Sequence, residues 1–350
     1  MGRWRYFLQR VLLSIPVLFL VITFLFMVLR LGPVDPVAAR LGPQASGADA
    51  AAVEERLGLN DPLWEQYIRF ASDLLQFEGQ SWVVQADRGI PAILADTAPP
   101  TLWLGFWAIL LPLFIGLPLG FYAGLNPNSS RDYISSGLGI LWLAMPNFWL
   151  ASMLAAFLAS TQSGGPLGFE WDTFGPTIDS IYATPSLNFV TLSSIGPVPF
   201  PTGLDLGGFA SDTKQILPPA VVLGSASMAA EQRIGRTAVL ENINSKYVET
   251  AKAKGVKGRE IITKHVFRNA LIPLIPVITN EAFLLIGGSV IVEELFTING
   301  LGKTFFQSII QGDLPLAGSL LFVFTLLLII LNIFQDLLYT VIDPRVGYEQ

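Results

Sequence analysis

The stretch "GLGKT", Gly300 to Thr304, has the residue types of a loop that wraps nucleotide phosphates. That chemistry needs G-x-x-x-x-G-K-[ST], placed after a buried strand and opening a helix, so that backbone N–H groups surround the phosphates. The position five before Gly302 is Thr297, not glycine, and no acidic partner strand is visible. The remaining reading is a glycine turn with Asn299-Gly300 as its turn dipeptide. The one histidine, His265, stands between Lys264 and Arg268 on a basic segment, the setting of a surface or docking residue. With no cysteine and one histidine, neither a thiolate nor a histidine-rich metal centre is expected. No Ser/His/Asp set or nucleic-acid patch stands out. The chain is expected not to be an enzyme, and to bind no metal and no cofactor itself.

Six apolar blocks must position whatever chemistry there is. Hydrophobic residues make up 52% of the 350 and charged residues 14%, and an apolar run of 18 or more can cross a bilayer as a helix. The blocks are 11–29, 102–125, 134–159, 216–230, 271–292 and 314–335. A cleaved signal peptide is the rival for the first, but nineteen residues is long for one and "RLGPVDP" lacks a small-x-small site. Six crossings are therefore expected. Lys and Arg favour the cytoplasmic side. With the N-terminus inside, the inner segments hold 14 Lys/Arg in 70 residues and the outer ones 6 in 140. Both termini are then cytoplasmic, and "GLGKT" lies outside, where there is no ATP.

The densest basic segment runs from Glu231 to Pro273. Between Lys246 and Arg268 it predicts two short helices joined at Gly255. Ala251 and Ala253 on the first are small enough for another protein to approach closely. Gly255 and Gly258 supply the freedom for a sharp reversal. The second helix, from about Arg259 to Asn269, puts Ile261, Ile262, His265 and Val266 on an apolar stripe. A basic amphipathic loop resting on anionic lipid is the competing reading.

"YVETAKAKG", 247–255, resembles the "EAA" coupling loop of ABC importer permeases, through Glu249, Ala251 and Gly255, with Thr250 in place of the first alanine. "KHVFRNALIP" puts Pro273 eighteen residues after Gly255 and is similar to the dipeptide/oligopeptide branch, which includes nickel permeases. "WRYFLQRVLLSIPVLFLVITFLFMVLRLGPVDP", "LGLNDPLWEQYIRF", "PPTLWLGFWAILLPLFIGLPLGFYAG", "MPNFWL", "GGSVIVEELFTINGLGKTFFQSIIQGDLPL" and "DLLYTVIDPRV" match that branch's other landmarks in order along almost the whole chain.

The resemblance implies an all-α membrane protein with six transmembrane helices in the type I ABC importer permease fold, with extracytoplasmic insertions after helices 1 and 3. It implies these domains: an N-terminal helix at 1–30, an insertion at 31–96, and a core at 97–340 carrying an outer loop at 161–215 and a coupling loop at 231–273. A tail follows at 341–350. It also implies a second homologous permease, two ABC ATPases that hold ATP and Mg, an extracytoplasmic binding protein, and a multi-pass place in the cell membrane. Tyr247, Glu249, Thr250, Ala251, Ala253, Gly255, His265, Arg268 and Asn269 would form the coupling loop. Substrate could be dipeptides, oligopeptides, nickel chelates or small sugars.

Glu281 lies inside the fifth block, and Glu231 with Arg233 at the inner end of the fourth. A charge at membrane depth costs about 3 kcal/mol, so each must face a cavity or a partner. Glu281 either lines the translocation path, meeting a peptide amino group, or pairs with an Arg or with polar groups of the second permease. Gly287 and Gly288 suit close helix packing or the path. Pro273 and Pro276 are expected to bend the fifth helix. Outside, 31–98 carries 10 acids against 4 bases and reads as a small helical domain, with Trp64, Tyr67 and Phe70 in its core. A secondary transporter or channel using Glu281 as a proton site is the alternative, but it needs an internal repeat that is not visible.

Overall fold

The computed structural model describes residues 3–31, 36–41, 47–56, 58–161, 169–195, 198–279 and 289–342. These are mostly helical and group into two compact units, 1–99 with 299–334 and 100–298 with 335–350.

The first unit holds α1 (Arg3–Leu31), α2 (Pro36–Leu41), α3 (Gly47–Arg56) and α4 (Leu63–Gln76). It also takes in the start of α5 (Ile90–Leu111). Tyr67, Phe70, Ala71 and Leu74 recur at helical spacing on α4. They pack with Ile22 and Leu25 of α1, and with Phe322. Trp64, expected beside them in the core, is 63% exposed. It stands three residues before Tyr67 but past the edge of the stripe that α4 buries.

The second unit is built on α9 (Leu206–Ile243), 38 residues in one helix, about 57 Å at 1.5 Å per residue. Against it lies the second expected crossing, which runs through α5, a π-helical turn at Pro112–Gly116 and α6 (Leu117–Leu125). The third expected crossing is not one helix. It is α7 (Ser130–Leu143) and α8 (Asn147–Thr161), bent by 91°. Pro146 accounts for the break, because proline lacks an N–H and steers the residue before it out of the helical region.

Among the described residues four helices are long and apolar enough to cross a membrane: Leu8–Val28, Ile90–Leu125, Gly258–Thr279 and Leu314–Leu338. The bent pair makes a fifth if it counts as one span.

The sequence gives 161–215 only as an outer loop of an all-α chain. The described part of this loop contains a two-stranded antiparallel hairpin, β1 (Val190–Ile195) with β2 (Val198–Leu204), so the chain is not all-α. The start of α9 holds the segment in place. The Asp212 carboxylate accepts from the backbone N–H groups of Ser186 and Leu187 at 3.0 and 2.9 Å. Lys214 Nζ donates to the carbonyls of Asp172 and Pro176 at 3.1 and 2.7 Å. Burial pushes this ammonium below its ordinary pKa, and Asp172 opposes that shift.

Gly300 precedes α14 (Leu301–Ile310), and the element before it is the helix α13 (Val290–Leu295). Thr304 Oγ1 donates to Gly300 O, and Lys303 Nζ reaches Asn299 Oδ1 at 3.1 Å. "GLGKT" is thus a turn that starts a helix, with no strand before it and its side chains turned back on the turn itself. The chain's last described helix is α15 (Leu314–Ile342).

Candidate coupling site and translocation path

α10 (Lys246–Ala253) follows α9 after a short turn at Asn244 and Ser245. One face of α10 is sealed: Val248 is fully buried and Ala251 is 8% exposed. They pack with Phe121, Val239, Ile261 and Val266 in a single apolar cluster. Tyr247, Glu249, Thr250 and Ala253 are exposed on the other face. Ala251 therefore serves the chain's own packing, and of the two alanines only Ala253 is open to a partner. Glu249 lies in the first turn, where a negative charge favours the helix dipole.

Gly255 ends α10 with φ +76°. Its N–H donates to Lys252 O at 3.0 Å, and the N–H of Val256 donates to Ala251 O at 3.2 Å. This pair of bonds is the Schellman termination, which favours glycine at the left-handed residue. A Cβ at Gly255 would meet nothing within 4 Å. The requirement is backbone conformation, not space.

The returning strand of the loop is helical but not uniformly α. α11 (Gly258–Glu260) leads into a π turn at Ile261–Val266, followed by α12 (Phe267–Ala270). The wider π spacing lets Ile261 and Val266, five apart, both point inward at 4% and 1% exposure. Ile262 and His265 are half-buried, Arg268 is exposed and Asn269 half-buried. Lys264 pairs with Glu260 at 2.5 Å on the surface. Pro273 then sits in a 3-10 turn at Ile272–Leu274.

The body that carries the loop is braced by two features not anticipated in the sequence reading. Gly116, Gly120 and Gly124 form a four-residue repeat on the helix facing α9. A Cβ would lie 2.7 Å from Met228 O at Gly116, 2.3 Å from Gln232 O at Gly120 and 2.8 Å from Arg236 O at Gly124. Only glycine permits this approach, the small-x-x-x-small logic of membrane helices. The second brace is Asp132, buried at the start of α7. Its carboxylate takes Arg236 Nε at 2.5 Å and Nη2 at 2.7 Å, and the Asn128 N–H at 3.0 Å.

Of the path residues, Glu281, Gly287 and Gly288 lie outside the described residues. Glu231 and Arg233 do not share a face. Glu231 is fully buried, while Arg233 is exposed and lines a cavity of about 290 Å³ with Asp132, Gln232 and Arg236. A further buried carboxylate stands one residue past the fifth apolar block, where hydropathy alone gives no sign of it. Glu293 is fully buried and accepts from Thr101 Oγ1 at 2.8 Å and from Ser289 Oγ at 2.6 Å.

Apolar helices long enough to span a membrane, a close-packed glycine face and an exposed basic loop at Gly255 define a helical membrane protein. Residues 116–348 match the family model "Binding-protein-dependent transport system inner membrane component", and residues 3–92 match its N-terminal companion model. The chain belongs to this family of membrane permeases. It is 30% identical over 343 residues to the oligopeptide transport system permease protein AppB of Bacillus subtilis, covering 98% of this chain and 99% of the relative. It is 32% identical over 347 residues to the dipeptide transport system permease protein DppB of Alkalihalophilus pseudofirmus, with coverage of 98% and 99%. A putative peptide transport system permease of Brucella suis is 30% identical, covering 98% of each chain. Membership places the chain in binding-protein-dependent transport and does not favour a proton-driven carrier.

Proposed function

We propose that this chain is one of two pore-forming subunits of an ATP-driven importer of di- or oligopeptides, and that residues 246–270 couple it to ATP hydrolysis. The single observation that carries the coupling role is the two-faced α10. Val248 and Ala251 fix it to the permease body, and Tyr247, Glu249, Thr250 and Ala253 remain exposed beside a glycine hinge. A helix rigidly seated on one side and open on the other transmits a push from a partner into the helices behind it. The partner is an ABC ATPase subunit, which holds ATP and Mg. The rest of the assembly comprises a second ATPase, a second homologous permease and an extracytoplasmic binding protein.

In this reading the chain crosses the membrane six times with both termini in the cytoplasm. α9 provides the fourth crossing. The insertions after crossings one and three lie outside. Peptide specificity is inferred from the names of the relatives, and Glu281 is assigned to the path. The test is reconstitution of the complete complex in proteoliposomes. ATP-dependent uptake of a labelled dipeptide or oligopeptide that requires the binding protein supports the reading. Uptake without ATP would contradict it.

A further inference from the structure

A cavity of about 300 Å³ lies within the first unit, where α1 ends and α4 crosses it. Its lining is divided in character. Phe26 and Leu74 line it, and so do Arg30, Arg69, Asp73 and Glu78. The volume is at the small end of ligand sites, enough for a compact head but not for a long peptide. Arg30 uses Nη2 on Leu59 O at 2.9 Å, and Arg69 uses Nη2 on Asp61 at 2.6 Å. A guanidinium has five N–H donors, so each keeps donors for an anion. Asp73 and Glu78 form the opposite pair. Burial raises the Asp73 pKa first and the nearby Glu78 charge raises it further, with Arg69 opposing. Both carboxylates line the same cavity, opposite in charge to the two guanidinium groups, and together they suit a cation.

Location narrows the ligand. Arg30 stands two residues beyond the apolar span Leu8–Val28, at the depth where headgroups meet water. Phe26, one turn before Arg30 on α1, carries an apolar wall of the cavity into that span. A free peptide has no use for that surface, whereas acyl chains do.

We propose that this cavity is the headgroup site of a zwitterionic phospholipid bearing a primary amine, with its phosphate at Arg30 and Arg69 and its ammonium between Asp73 and Glu78. The site is independent of which substrate is transported. It ties the membrane surface to the elements that join crossing one to α4.

The test uses the complete complex in nanodiscs of equimolar phosphatidylethanolamine and phosphatidylglycerol, with bound lipids read by native mass spectrometry. The wild-type complex should retain the ethanolamine lipid preferentially. In the D73N/E78Q variant that preference should fall about tenfold, the loss expected for one charge-assisted hydrogen bond. Replacing phosphatidylethanolamine by phosphatidylcholine in wild-type complexes gives a second arm that does not depend on the variant folding. The choline lipid, whose ammonium has no N–H, should be retained no better than phosphatidylglycerol. Equal retention of all three lipids, an unchanged preference in the variant, or displacement of lipid by a millimolar dipeptide would overturn the proposal.

Discussion

Asp132 and Arg236 clasp the start of α7 to the last part of α9 through two contacts of 2.5 and 2.7 Å, two turns before the loop that carries α10. The Asp132 side chain is 2% exposed and that of Arg236 28%, so removing either leaves a poorly solvated charge. Arg236→Ala is expected to destabilise the permease by about 3 kcal/mol, the lower end of the range for breaking a buried pair, since Arg236 is partly exposed. The D132R/R236D exchange should recover part of the loss. Thermal unfolding of the detergent-purified complex is the measurement, and an Arg236→Ala protein as stable as wild type would contradict the brace.

Gly120 approaches α9 more closely than any other residue could, with a virtual Cβ 2.3 Å from Gln232 O. Gly120→Leu should separate the two helices and cost about 1–3 kcal/mol or more. Gly137→Leu on α7, where a Cβ meets nothing within 4 Å, should leave the stability of this chain unchanged. Comparing the melting temperatures of the two variants decides whether close packing or general intolerance of bulk is at work.

Gly255 makes the opposite demand, since space is available but φ is positive. Gly255→Val should cost about 1–2 kcal/mol locally and loosen α10 at its hinge. Gly255→Asn should be milder, because asparagine tolerates the left-handed region. Stimulation of ATP hydrolysis by loaded binding protein should drop in the Val variant and largely survive in the Asn variant. Equal stimulation in all three proteins would remove the hinge from the mechanism.

Asp313 gathers the loop before α5. It accepts from Ser81 Oγ at 2.5 Å and from the N–H groups of Trp82, Val83 and Val84 at 3.1, 3.0 and 3.0 Å. Asp313→Ala strands the buried Ser81 hydroxyl and three part-buried backbone donors and should cost on the order of 3 kcal/mol. Hydrogen exchange should show the amides of 82–84 losing protection first. Protection that falls uniformly across the unit would mean that the loop is not the seat of the loss.

The apolar helices and the helix–glycine–helix around Gly255 were legible because each is a local pattern: long uncharged runs, and two short helical stretches separated by glycine. The Schellman bonds at Gly255 follow from glycine after a short helix, and that too is local. The inward turn of Ala251 was not legible. A small residue suits a partner and a core equally well, and only the packing of Ile261 and Val266 decides between them. The π turn escaped because an ideal stripe was assumed for 261–266. Asp132, Glu293 and Asp313 lie far in sequence from Arg236, Thr101 and Ser81, and no local signal pairs them. The Gly116–Gly120–Gly124 repeat was present in the sequence at a spacing that points to close packing. It was overlooked beside the adjacent pair Gly287-Gly288.

The absence of cysteine from the chain allows the coupling role to be tested by a single introduced thiol. Ala253→Cys, on the exposed face of α10, and Ala251→Cys, on the sealed face, would each be treated with a short bifunctional thiol crosslinker. The assembled complex would carry a thiol in the ATPase subunit's surface groove. Crosslinking of the Ala253→Cys chain to the ATPase subunit, with little from Ala251→Cys, is the predicted result. An Ala253→Cys chain that stays uncrosslinked in an intact, ATP-hydrolysing complex would contradict the coupling site.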